Sequence, residues 1–95
     1  MNIEITSRHF TASEQLKNLI NHKLNKLYKH NSDLKNVRII LDKQNNYEKV
    51  EIITRFYNHD FIAISNLDNF ENSVINAIDK ISIQIKKHND KIKNK

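Results

Sequence analysis

NVRIILDKQNNYEKVEIITRFYNHDFIAIS, residues 36–65, is the stretch whose reading decides the fold. It holds three runs of period-two hydrophobicity separated by two asparagine-bearing breaks. Val37, Ile39 and Leu41 fall on one face of the first run, Val50, Ile52 and Phe56 on one face of the second, and Phe61, Ala63 and Ser65 on one face of the third. Alternation of this kind marks half-buried strands. Asn45-Asn46 suits a hairpin turn with positive φ, and YNHD at 57–60 reads as a second turn. The stretch is therefore an antiparallel three-strand meander.

Outward from it the pattern changes twice. NIEIT, residues 2–6, alternates with Ile3 and Ile5 on one face and reads as another strand. Leu16, Leu19, Ile20, Leu24 and Leu27 then recur at helical spacing. Ser13 reads as the N-cap with Glu14 in the first turn, and Thr11 with Glu14 is a rival capping box. HNSD at 30–33 ends this helix. After the meander, Asp68 or Asn69 caps a long helix whose stripe is Phe70, Val74, Ile78, Ile81 and Ile85. The order is β-α-β-β-β-α. Two strands flanking a helix are expected to be parallel neighbours joined by a right-handed crossover. The predicted fold is α+β, a two-layer sandwich with both helices on one face of a four-stranded mixed sheet.

The 95 residues are expected to form a single domain, 1–95, with no further dimerisation domain. No apolar run is long enough to span a membrane, and the N-terminus opens on a strand pattern rather than a signal peptide, so a cytosolic protein is the default. Without cysteine there are no disulfides or thiolate metal sites. The histidines at 9, 22, 30, 59 and 88 show no metal-binding spacing. Glycine is absent, which excludes a P-loop or dinucleotide fingerprint, and proline is absent too, so turns fall to Asn, Asp and Ser. His59-Asp60 reads as turn chemistry with no nucleophile nearby, and Asp79 as a helix pairing or capping group. No metal or cofactor is expected, and no enzyme activity.

The net charge of +5 is partitioned. Residues 14–30 carry +3 and residues 80–95 carry +5, whereas residues 31–79 carry −3. Compositional drift would spread lysine evenly; this partition points to an anionic partner such as nucleic acid. In the last helix Lys80, Gln84, Lys87 and Lys91 fall in one narrow stripe beside the isoleucine seam. In the first helix Lys23 occupies nearly the phase of Leu16 and Leu27, one turn from Lys26, and Lys29 extends the same basic set. The stem of Lys23 can pack while its ammonium reaches water, which also places it at a groove between the helices, and Lys80, Lys87 and Lys91 are expected to face that same groove with Lys23 and Lys26. A solvated charged face is the competing reading of the stripe. Ile40, Ile53, Ile62 and Ile64 have the opposite strand parity from the core residues. They reflect strand propensity in an isoleucine-rich chain, or else a contact face.

MNIEITSRHF at 1–10, KLNKL at 23–27 and AIDKISIQIKKHNDKIK at 77–93 together resemble the short hibernation promoting factor family, close to ribosome-associated inhibitor A (protein Y). The resemblance covers essentially the whole chain. It implies the same β-α-β-β-β-α fold and binding in the small-subunit channel of messenger RNA and of the A- and P-site tRNAs. Residue by residue it carries RNA contact to Lys23, Lys26, Lys80, Gln84, Lys87 and Lys91, with Arg8, which ends the first strand next to the start of the first helix, at a position basic in many members. Ile83 stands where the family usually has Arg or Lys, and Lys86 is the candidate substitute from another phase. Ser7 stands where glycine is common.

The expected function is a non-enzymatic factor that occupies the channel of idle ribosomes and blocks initiation. The small ribosomal subunit is its partner and ribosomal RNA its ligand. A separate ribosome modulation factor is a further candidate partner, and the free chain is expected to be a monomer. The alternative is a general double-stranded-RNA-binding module. A small transferase would need an oxyanion or phosphate loop, which the sequence does not offer.

Overall fold

The computed structural model describes residues 2–31, 34–56 and 58–93, with side chains as far as Asp90. Its elements run β1 (Asn2–Arg8), α1 (Glu14–His30), β2 (Asn36–Lys43), β3 (Glu48–Phe56), β4 (His59–Leu67) and α2 (Phe70–Lys93). The sheet order is β1-β2-β3-β4, with β1 and β2 parallel and the other two pairs antiparallel. This is the expected mixed sheet. Val37, Ile39 and Leu41 of β2, Val50, Ile52 and Phe56 of β3, and Phe61 and Ala63 of β4 share one core with both helices. Ile20, Leu24 and Leu27 enter it from α1, and Val74, Ala77, Ile81 and Ile85 from α2. Both helices thus cover the same face, and the opposite strand parity forms an uncovered face. Among the described residues no helix is long and apolar enough to cross a membrane.

Local chemistry sets the boundaries. Ser13 Oγ accepts from the Leu16 backbone N–H at 3.1 Å, so Ser13 rather than Thr11 caps α1. Asn69 Oδ1 accepts from Asn72 N–H at 2.8 Å, which settles the α2 cap on Asn69 rather than Asp68. The turns correct two expectations. Among the described residues positive φ occurs at His9 and Asn58, not at Asn45 or Asn46. The β2–β3 link spans 44–47 inside the Lys43–Glu48 pair and closes through Gln44 N–H to Tyr47 O at 2.9 Å. A loop of that length is commonly built on a type I turn, which has no positive φ. The β3–β4 link is shorter, 57–58, and there Asn58 takes φ 61°. His59 and Asp60 are not turn residues. They open β4 opposite Phe56 and Arg55, and Arg55 donates to Asp60 at 3.2 Å.

The first turn of α2 is anchored by the sheet. Glu48 Oε1 accepts from Phe70 N–H at 2.8 Å. Ser73, fully buried, donates through Oγ to Glu48 O at 2.6 Å and accepts there from Leu67 N–H at 3.0 Å. A hydroxyl at that point therefore satisfies one group on β3 and one on β4. Ser73→Ala is expected to lower the unfolding free energy by about 1–2 kcal/mol, because two part-buried backbone groups lose their partner. Urea unfolding with an unchanged slope checks this; an unchanged midpoint would mean that water takes the place of the hydroxyl.

Candidate nucleic-acid interface

The cations divide between the two layers of the sandwich. On the open sheet face Arg8, Arg38, Lys49 and Arg55 alternate with Glu4, Asp42, Glu51 and Asp60. Arg55 is paired with Asp60, and Arg8 lies opposite Asp42 in the register. The His9 ring meets Asp42 Oδ1 at 2.7 Å and, with the charges of His9 and Arg8, holds this carboxyl below the usual carboxylate range. Charge on this face is balanced. Arg8 was expected beside the start of α1, but its parity puts it on this face, with the sheet between it and the helices. Ile3 and Ile5 point to the core, so Arg8 must point away from it.

The helix layer is different. Among the described residues no ion pair engages Lys23, Lys26, Lys29, Lys86 or Lys87. Lys26, Lys29, Lys86 and Lys87 are exposed, while Lys23 is half-buried. Lys23 and Lys26 line a groove of about 320 Å³ between α1 and α2, together with His30, Asp79 and Ser82. Lys23 is half-buried and lines the interhelical groove, which is compatible with both readings of this residue. Asp79 lies in the same groove, across from these lysines.

The stripe of α2 does not join this groove. Lys80 Nζ donates to Ile64 O at 2.8 Å and Gln84 Nε2 donates to Ile62 O at 2.9 Å. Both side chains are laid along the outer edge of β4, and Lys87 follows on that flank. The expectation that Lys80 and Lys87 face one groove with Lys23 and Lys26 is therefore incorrect. A helical wheel gives a residue's angle from the isoleucine seam but not which element flanks that side. The α1 flank carries Asp79, Ser82 and, one turn beyond Ser82, Lys86. Lys86 thus shares a side with Lys23 and Lys26, and Ile83, 54 % exposed, lies on the solvent ridge between the flanks. Lys91 lies outside the described side chains.

One cluster escaped the sequence reading. His59 of β4 stacks on His88 of α2 with ring centres 5.0 Å apart, and Phe61 meets His88 edge-on at 5.5 Å. These residues fasten the late turns of α2 to the start of β4. No spacing signal could have found them, because the contact joins two elements that have different periods.

Four strands under two helices are an arrangement that solved structures share. The structure of a ribosomal subunit interface protein from Coxiella burnetii superimposes with a TM-score of 0.88 at 20 % identity, covering 94 % of this chain and 98 % of that one. The N-terminal domain of Protein Y from Thermus thermophilus gives a TM-score of 0.83 at 17 % identity, covering 93 % of this chain and 99 % of that one. At such identities the likeness concerns the fold. No curated protein matches the chain. Membership rests on the sequence itself: residues 3–93 match the family described as Sigma 54 modulation protein / S30EA ribosomal protein. With nearly its whole length matched, and with the β-α-β-β-β-α sandwich that the resemblance to hibernation promoting factors implies, this chain belongs to that family of ribosome-associated factors.

Proposed function

We propose that this chain binds the small ribosomal subunit in the channel used by messenger RNA and by A- and P-site tRNAs, and that it blocks initiation on idle ribosomes without catalysing a reaction. The observation that carries this reading is the set of lysines on the helix layer that, among the described residues, take part in no ion pair, set against a charge-balanced sheet face. Lysine is a point charge with little base-reading geometry. A surface built of it recognises phosphate and shape rather than sequence. Two lysine flanks on either side of α2 suit a folded plug contacted by RNA from more than one direction. The family is described by a ribosomal protein and the Coxiella burnetii neighbour is named for the ribosomal subunit interface, which supports the ribosome as the source of that RNA.

Purified protein should co-sediment with small subunits or whole ribosomes at physiological salt, and a free RNA duplex in excess should not compete it away. Equal partition between ribosomes and the duplex would favour a general double-stranded-RNA-binding module instead. Ribosomes already programmed with message and P-site tRNA should take up less protein than empty ones. Undiminished uptake would move the site out of the channel.

A further inference from the structure

Strand β4 is nine residues long and forms one edge of the sheet. Long regular edges invite pairing with another chain, and proteins commonly blunt them with proline, with bulges or with inward-pointing charge. The chain has no proline, and the β3–β4 register runs without interruption from Glu48–Leu67 to Phe56–His59. The edge is instead covered from above. The carbonyls that Lys80 and Gln84 occupy belong to Ile64 and Ile62, alternate residues whose polar groups point away from β3. In an antiparallel ladder the N–H and C=O of one residue point to the same side. The outward amides of Ile62 and Ile64 therefore lie on this edge too. Their side chains stand on the open face, 51 % and 44 % exposed.

That edge is complementary to itself. A second β4 laid antiparallel and centred on Ala63 would set Ile62 opposite Ile64 of the second copy, and Ile64 opposite Ile62. Each pair would exchange both of its hydrogen bonds. The flanking pair would be Asp60 with Asn66, which brings no like charges together. The carbonyls that this pairing requires are the two that the α2 side chains take.

We propose that the β4 edge is a pairing surface for a second copy of this chain, and that Lys80 and Gln84 keep it closed in the free protein. The stripe residues thus have a duty independent of RNA. Gln84, with no charge to offer a phosphate, has its amide spent on the strand, and Lys80 must release Ile64 O before its ammonium can reach a phosphate. The apolar stems of both side chains, running from α2 to the edge, also fill the space that a second strand would enter.

The test uses the full chain without ribosomes, so its outcome is separate from that of the proposed function. Lys80→Met with Gln84→Met keeps the stems and removes both donors. Sedimentation velocity across a range of concentrations should show the parent as a monomer and the double variant shifting with concentration toward a dimer or larger species. Amide exchange at Ile62 and Ile64 should slow in the associated form. Adding Ile62→Lys and Ile64→Lys places like charges directly opposite each other in that pairing and should restore the monomer. Circular dichroism reports whether each variant is folded. A double variant that stays folded and monomeric overturns the proposal. So does association that persists with both added lysines, or a double variant that unfolds at every concentration, since then the two donors serve the fold alone.

Discussion

Ile81→Ala is expected to lower the unfolding free energy by about 2–5 kcal/mol, the range for truncating a fully buried aliphatic side chain. Ile81 is completely buried and sits in the seam by which α2 meets the sheet. The loss combines the transfer free energy of the removed methyl groups with the cavity left beneath a helix that can collapse only partly. Against a total stability of about 5–15 kcal/mol for an ordinary domain, that is a large fraction. Ile83→Ala is the internal control. It removes the same atoms two positions along the same helix, but from a side chain that is 54 % exposed, and should change stability by no more than about 0.5 kcal/mol. Urea unfolding of both variants with equal slopes makes the comparison. Equal losses at the two positions would mean that the seam of α2 is wrongly placed.

Joint reversal of Lys26 and Lys86 to glutamate should weaken ribosome binding by roughly tenfold or more, since each change removes a phosphate contact and adds a repelled charge. The slope of log affinity against log salt should flatten by about one unit for each lost contact, or somewhat less if the RNA behaves as a single strand. Both lysines are exposed, Lys26 lining the interhelical groove from α1 and Lys86 standing on the side of α2 that carries Ser82, so folding should be nearly unchanged. Lys87→Ala tests the other flank by the same two readouts. Lys80→Ala alone is less diagnostic, because that side chain also holds Ile64 O. If the reversed pair binds with parental affinity and slope, RNA does not reach the α1 flank.

The architecture could be read from the chain because each element buries one face. A half-buried strand must alternate, and a half-buried helix must repeat at 3.6, so the β-α-β-β-β-α order and the core residues Ile39, Ile52, Leu24 and Ile81 are written in spacing alone. The turns were less legible. Asn45-Asn46 and Asn58 are the same residue type, and loop length decided which of them takes positive φ. The α2 cap was ambiguous for a similar reason: Asp68 and Asn69 are both good caps, and the geometry of the link from β4 selected one of them.

For the candidate interface, sequence determined the inventory: which lysines exist, that they cluster in two segments, and that Lys80, Gln84 and Lys87 share a phase on α2. It also carried the family, since the matched pattern runs from residue 3 to residue 93. Only the tertiary structure decided what each residue faces. A helical phase is an angle about one axis, and it becomes a location only when neighbouring elements occupy the two sides of that helix. Placing β4 on one side of α2 and α1 on the other turned Lys80 and Gln84 into partners of strand carbonyls. The same placement left Lys86 with Lys23 and Lys26, while the parity of β1 sent Arg8 to the far side of the sheet.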